Sequence, residues 1–195
     1  MTSVLAIGVD PATHSGVALV RLDMATGEAE LVGVWPVYGE SWRTWGVRAM
    51  AAASGVAQAV GGQPVIGWYE RPAPARVGDA AWNPCPMSER AGALILALQV
   101  AGAQATMQPV PTSQWTAWAR VPAGKRGDGS HRTGEAAARI GGAALQFAAL
   151  EHCRIDCAEA ALIALACARA GVERLAEGQQ MPLGSLPRSG ERRAH

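Results

Sequence analysis

The stretch AIGVDPATHSGVALV, residues 6–20, begins as an apolar run, passes one acidic residue and a glycine-ended polar loop, and closes in a second apolar run. A continuous apolar run bounded by turn residues is typical of a strand buried in the middle of a sheet. Asp10 stands where the first strand ends, so its carboxylate loses water on one side. A carboxylate so placed must hold a backbone loop, a phosphate-binding turn or a metal ion.

The rest of the chain predicts an α/β protein with a mixed five-stranded sheet and helices on both faces. Strands are predicted at 4–9, 16–21, 28–37, 64–69 and 105–110. Helices are predicted at 42–60, 88–103, 133–151 and 156–170, with a short helix beginning in PTSQW, 111–115. A turn at Gly27 and N- and C-terminal helix signals at Ser41, Gly61 and Gly171 set the boundaries. The first three strands therefore form an antiparallel meander.

Length and composition favour one globular domain. The 195 residues are 49% hydrophobic, which excludes a disordered chain. The chain carries 17 basic and 16 acidic side chains, so its net charge does not point to any class of partner. We expect residues 1–172 to form the domain and 173–195 a flexible tail. Without a basic, apolar leader or a membrane-length apolar run, we expect a cytoplasmic protein.

Cysteine and tryptophan positions favour packing over chemistry. Three cysteines lie in alanine-rich helical sequence, where a free thiol behaves as a small hydrophobe (Cys153, Cys157 and Cys167). His152 beside them lacks the second ligand pair that a zinc site requires. The helical pair Trp42 and Trp45 is expected to anchor the core.

Four acidic residues stand at related places in the predicted fold: Asp10, Glu70, Asp156 and Glu159. Asp10 and Glu70 each end a strand, and they share one sheet edge if those strands are neighbours. The i, i+3 spacing places the other two on one helix face. Converging carboxylates repel one another unless cations lie between them, and two magnesium ions about 4 Å apart promote in-line phosphodiester displacement.

Each acid also has an ordinary alternative. Asp10 can hold the backbone amides of the loop that follows it. Asp156 and Glu159 match the D-x-x-E capping-box pattern. Glu70 can form a surface ion pair with Arg71.

Four segments in order resemble the RuvC Holliday-junction resolvases of the RNase H-like nuclease superfamily: IGVDPATHSG (7–16), VIGWYE (65–70), SERAGALILALQVAG (88–102) and DCAEAALIALACA (156–168). The P-x-S-x-W stretch at 111–115 is similar to bacteriophage and prophage members. The resemblance covers roughly residues 4–170. Glu159 replaces the family's usual aspartate, and Ala12 replaces a glycine, so the loop must avoid positive φ there.

The resemblance implies a metal-dependent endonuclease that resolves four-way or branched DNA junctions as a homodimer. Asp10, Glu70, Asp156 and Glu159 would be both the catalytic and the metal-binding residues, with two Mg²⁺ ions per site and Mn²⁺ as a substitute. Basic residues after the fifth strand would bind DNA (Lys125, Arg126, His131 and Arg132). In the loop after Glu70, which lacks the family's aromatic wedge near the second acid, Arg76 and Trp82 are further DNA-binding candidates.

Other functions remain open. An RNA-processing nuclease of the same fold would use the same carboxylates, and a non-catalytic nucleic-acid binder would share the fold. An ATP-binding actin-like protein needs two such domains, for which the chain is too short. The helix at 88–103 is apolar on nearly every side and predicts burial beyond one sheet face, which favours a two-fold dimer.

Overall fold

A computed structural model describes residues 3–71, 85–103, 105–121, 130–140 and 153–177. The strands are β1 (Ser3–Asp10), β2 (Ser15–Asp23), β3 (Ala29–Val37), β4 (Val65–Glu70) and β5 (Ala105–Val110). The helices are α1 (Trp42–Val60), α2 (Cys85–Val100), α3 (Thr112–Ala119), α4 (Ser130–Ile140) and α5 (Arg154–Ala176). None of the helices in these ranges has the length and apolar character needed to cross a bilayer.

The sheet has the order β3-β2-β1-β4-β5, which confirms the predicted mixed architecture. β1, β2 and β3 form the antiparallel meander, whereas β4 runs parallel to β1 and β5 runs parallel to β4. The β2–β3 turn is held by the Asp23 carboxylate, which accepts hydrogen bonds from the amides of Ala25 and Thr26, and Gly27 adopts φ 72°. Because these hydrogen bonds form between residues close together in the chain, the hairpin could be predicted from the sequence.

The two faces of the sheet carry separate cores because side chains alternate along a strand. Odd-numbered residues of β1, such as Ile7, pack with α1 and α2. Even-numbered residues, such as Ala6, pack with α3, α4 and α5. Three buried free cysteines belong to the second core, as predicted for small hydrophobes (Cys153, Cys157 and Cys167).

Helix α5 lies unusually close to the sheet because glycines face it. A Cβ atom at Gly8 would collide with the carbonyl oxygen of Ala160 and lie 3.0 Å from Cα of Ala164. A Cβ atom at Gly16 would lie 2.8 Å from Cα of Cys157. Small residues on both surfaces thus allow backbone-to-backbone packing, which sets the position of the start of α5 above the end of β1.

Helix boundaries agree with the sequence where local capping determines them. Ser41 caps α1 by accepting a hydrogen bond from the Thr44 amide, and Gly61 ends the helix at φ 59°. The predicted stop of the last helix at Gly171 is wrong, since α5 continues to Ala176. Gly171 is buried there, so packing against the sheet overrides its low helix propensity.

Two further predictions need correction. The second helix begins at Cys85 rather than Ser88 and ends at Val100 rather than residue 103. Trp45 is buried as predicted, but Trp42 is 51% exposed and packs edge-on against Trp45 instead of entering the core. Trp42 is the first residue of α1, so it lies at the end of the helix, one turn before the buried Trp45. The first four residues of the tail predicted at 173–195 belong to α5, and residues 178–195 lie outside the described ranges, so a flexible tail there stays a prediction.

Candidate active site

Three of the four predicted acids meet at one edge of the sheet. The parallel register of β1 and β4 pairs Val9 with Tyr69, so the next residues, Asp10 and Glu70, leave neighbouring strands together. Glu159 reaches the same point from α5. The carboxylate oxygens of Asp10, Glu70 and Glu159 lie within 4.8 Å of one another, close enough for one cation to contact all three.

Asp10 is the most unusual member of this carboxylate cluster. The residue is 5% exposed, and burial raises the pKa of its carboxyl well above the ordinary value of 3.8. The charges of Glu159, Glu70 and Asp156 raise that pKa further, in decreasing order. The Asp10 carboxyl also shares a hydrogen bond with Glu159. In the loop after Asp10, it is the Asp10 backbone carbonyl that accepts from the Ala12 amide, at 3.1 Å.

Asp156 lies at the margin of the carboxylate cluster. It belongs to the first turn of α5, whose N-cap is Cys153, so the alternative capping box formed by Asp156 and Glu159 is wrong. A carboxylate in the first turn is favoured by the helix dipole. Burial raises the pKa of Asp156, while its backbone amide and the nearby His14 work in the opposite direction.

Glu70 is held by a residue that the sequence did not single out. The hydroxyl of Thr112, the first residue of α3, donates a hydrogen bond to the Glu70 carboxylate. β5 pairs with β4 in register up to Val110 opposite Glu70, so the chain returns to this edge just before Thr112. Glu70 is half-buried in the carboxylate cluster. It is not the exposed group that a surface ion pair with Arg71 would require.

Cationic and aromatic side chains lie around Thr13 and His14, in the loop that directly follows Asp10. The guanidinium carbon of Arg48 lies 3.5 Å from the centre of the Tyr38 ring, and His14 contacts the same ring edge-on at 6.5 Å between centroids. Arg90 approaches the Thr13 hydroxyl at 3.4 Å and lies 5.4 Å from the Trp42 ring centre. These residues come from the β1–β2 loop, the end of β3 and helices α1 and α2.

This basic and aromatic rim was missed by the sequence reasoning because its members are far apart along the chain. The only local signal was the position of Thr13 and His14 in the loop directly after Asp10. A strand-end acid makes its following loop part of any site built there.

The predicted DNA-binding residues fall mostly outside the described ranges. Arg76, Trp82, Lys125 and Arg126 are not described, and for His131 and Arg132 the structure describes only the backbone, in α4. Of the same basic region, Arg139 pairs with Glu135 at 2.8 Å within α4. Ala12 has a negative φ, as expected for the alanine that replaces a glycine in the loop.

The donor set fits a hard divalent cation. Carboxylate oxygens are the ligands that magnesium and manganese accept, and few protein carboxylates suffice when substrate phosphates complete the coordination. Burying an uncompensated group of acids is unfavourable, and a cation among them removes that cost. Asp10, Glu70 and Glu159 would hold the ion, with Asp156 adjacent.

The sequence has no significant match among protein-family models or curated proteins. Its structure is similar to RuvC of Thermus thermophilus, with a TM-score of 0.59, 18% identity, and coverage of 90% of this chain and 97% of that one. It is similar to the same protein in complex with a Holliday junction substrate, with a TM-score of 0.56, 17% identity, and coverage of 86% and 94%.

A third similar structure is the yeast mitochondrial Holliday junction resolvase Ydc2, with a TM-score of 0.51, 14% identity, and coverage of 89% and 82%. The three matches cover between 86% and 90% of this chain, so the described part of the chain has a fold like that of RuvC. At these identities the likeness concerns the fold. The case for an activity therefore depends on the residues of the site.

Proposed function

We propose that this protein is a divalent-metal-dependent endonuclease that cuts branched DNA at four-way junctions. The observation that carries the proposal is the buried carboxylate cluster of Asp10, Glu70 and Glu159 at the end of β1. It occurs in a chain with the fold of RuvC, and one such structure holds a Holliday junction substrate. Fold alone would not support catalysis, but a costly buried group of acids is not needed for binding alone.

Each residue has a task that follows from its position. Asp10 projects from the central strand of the sheet, which holds a metal ligand more rigidly than a loop does. Thr112, at the start of α3, orients Glu70 through its hydrogen bond, and Glu159 approaches from α5. Asp156 is the fourth acid of the proposed site. When bound, two Mg²⁺ ions would supply Lewis-acid chemistry, favouring deprotonation of the attacking water and neutralising charge on the leaving oxygen.

The rim residues are suited to holding the phosphodiester beside the acids. Arg48 and Arg90 are positive, and Tyr38 and Trp42 provide aromatic surfaces next to them. Arginine binds phosphate through several donors, and bases stack on aromatic rings. His14 lies close enough to Asp156 to affect its pKa, so it joins the rim to the acids. Lys125 and Arg126 are proposed to add phosphate contacts.

The decisive experiment is cleavage of a labelled four-way DNA junction by the full chain. We expect paired nicks with Mg²⁺ or Mn²⁺, none with EDTA, and much slower cutting of a linear duplex of the same sequence. Preference for structured RNA over the junction would favour the RNA-processing alternative. Tight junction binding without cleavage under any divalent-ion condition would instead indicate a non-catalytic binder.

We further propose that the active form is a homodimer joined through α2. Leu96 and Val100 of α2 are 59% and 67% exposed, although the opposite side of the helix is buried against the core. Val47 and Met50 of the neighbouring α1 are also exposed. Two copies related by a two-fold axis would cover these apolar side chains and place two sites on one junction.

Replacing both Leu96 and Val100 with glutamate should convert the dimer to a monomer, since four charges would face the interface. Light scattering should show the mass falling from twice 20.2 kDa to 20.2 kDa at micromolar concentration. Gln114→Glu, at an exposed position of α3 on the other face of the sheet, is the matched control and should leave the mass unchanged. A wild-type protein that is monomeric at that concentration contradicts the dimer.

A further inference from the structure

A cavity lies at the far end of α5 from the carboxylate cluster. Its volume is ≈ 770 Å³, and it opens between the β2–β3 turn, the end of α3 and the last turns of α5. The described lining residues that carry charge or an aromatic ring are Trp118, Arg120, Arg169 and Glu173. Two guanidinium groups against one carboxylate make the lining net positive.

Arg169 is fixed in the wall of this cavity. One of its terminal nitrogens donates to the carbonyl oxygens of Trp118, at 3.2 Å, and Ala119, at 3.0 Å. Burial lowers the pKa of its guanidinium, and the neighbouring charges of Arg120 and Arg139 lower it further. Among the described residues, its other nitrogens have no hydrogen-bonded partner. The cavity thus holds an oriented guanidinium among like charges, a setting that an anion would relieve.

Arg120 reaches the cavity from a strained backbone position. It ends α3 in the left-handed region, at φ 57°, and is the one non-glycine residue with positive φ in the part of the chain that the structure describes. Glycine or asparagine is the usual residue at that place. An arginine there is disfavoured locally, and such strain is typical of positions whose side chain serves a site.

Trp118 supplies an aromatic surface beside the two arginines. Its indole is partly buried against the α5 side of the sheet and also lines the cavity. We propose that this cavity binds a nucleotide unit, with Arg120 and Arg169 contacting the phosphate and Trp118 contacting the base. Arginine and an aromatic ring side by side are the groups that recognise one nucleotide of a single strand.

This inference rests on the proposed function for the source of the nucleotide. Arg169 follows Glu159 by ten residues, which corresponds to about 15 Å along a helix. A single DNA strand held over several nucleotides, as in other strand-binding proteins, could extend from the carboxylate cluster to the cavity. The alternative source of the same chemistry is a free mononucleotide.

The Trp118 indole resonance distinguishes these sources. Wild-type protein labelled with ¹⁵N is titrated with dAMP and with a twelve-nucleotide single strand, without divalent ions, and Trp118→Phe identifies the signal. We expect the signal to shift with both probes, and at lower concentration with the strand. If dAMP and the single strand shift the signal at equal concentrations, the cavity binds free nucleotides rather than a DNA strand. No shift with either probe overturns the proposal.

Arg120→Gly separates binding from folding. Glycine accepts φ 57° without strain, so the thermal midpoint should be unchanged or slightly higher, while strand affinity falls about five- to tenfold through the lost charged contact. Arg21→Gln is the matched control, because Arg21 precedes the cavity residue Leu22 and its side chain instead pairs with Glu30 at 2.8 Å. If both variants lose affinity equally, general charge rather than the cavity is responsible.

Junction cleavage by the wild type is measured in parallel. If the protein fails to cut junctions but dAMP still shifts the Trp118 signal, the result supports nucleotide binding in the cavity and overturns the nuclease proposal. If the protein cuts junctions and neither probe shifts that signal, only the proposal for the cavity is overturned.

Discussion

Asp10→Asn should lower the rate of metal-dependent junction cleavage by about a thousandfold or more, because it removes the central charge that would hold the cations. The substitution keeps the shape of the side chain and can still make local turn hydrogen bonds. Junction binding should persist or tighten, since one negative charge facing the phosphates is lost. Gel assays of cleavage and of binding on the same junction measure both effects.

The same substitution should stabilise the metal-free protein. The pKa of Asp10 is raised on folding, so the folded state binds its proton more tightly than the unfolded state. The free energy of unfolding therefore falls as pH rises from the ordinary value of 3.8 through the raised pKa. Asp10→Asn should make the free energy of unfolding depend less on pH. Thermal melts at pH values from about 4 to about 8, without divalent ions, test this expectation.

Magnesium should raise the melting midpoint of the wild type and have little effect on Asp10→Asn, since ligands that bind the folded state stabilise it. Asp23→Asn is the matched control, because asparagine can keep the turn that Asp23 makes with the Ala25 and Thr26 amides. An Asp10→Asn protein that cuts junctions at the wild-type rate would falsify the assignment of this site.

Gly8→Ala should destabilise the fold by about 3 kcal/mol, because the added methyl group collides with backbone rather than with a flexible side chain. The carbonyl oxygen of Ala160 and Cα of Ala164 occupy the space the methyl group would need. Cleavage should fall further than stability alone explains, because α5 must move away from β1 and carries Glu159 with it. Urea unfolding and cleavage at a temperature where the variant remains folded measure the two effects.

Gly46→Ala is the matched control for this prediction. Gly46 lies in α1, and a Cβ atom there meets no atom within 4 Å. Alanine in a helix interior should stabilise the protein by about 0.5–1 kcal/mol relative to glycine. If Gly8→Ala is as stable and active as Gly46→Ala, the close approach of α5 does not position the site.

Local patterns determined much of the fold. The continuous apolar runs of β1 and β2 predict strands that are buried on both faces, and alternate residues of each strand do enter opposite cores. Ser41 and Gly61 set the bounds of α1 through hydrogen bonds made within a few residues, so those bounds were predictable. The sequence also placed Asp10 and Glu70 at strand ends, where they would share one sheet edge if the two strands are neighbours, and the parallel pairing of β1 with β4 meets that condition.

Tertiary structure decided what depends on surfaces distant in the chain. The D-x-x-E pattern at the start of α5 was compatible with a capping box, and only the packing of α5 against Gly8 and Gly16 turned Glu159 toward Asp10. The partner of Glu70, Thr112, becomes its neighbour through the β4–β5 pairing. Periodicity reports which face of a helix is buried but not how closely or at what angle two backbones meet, and that distance determines whether separated acids form one site.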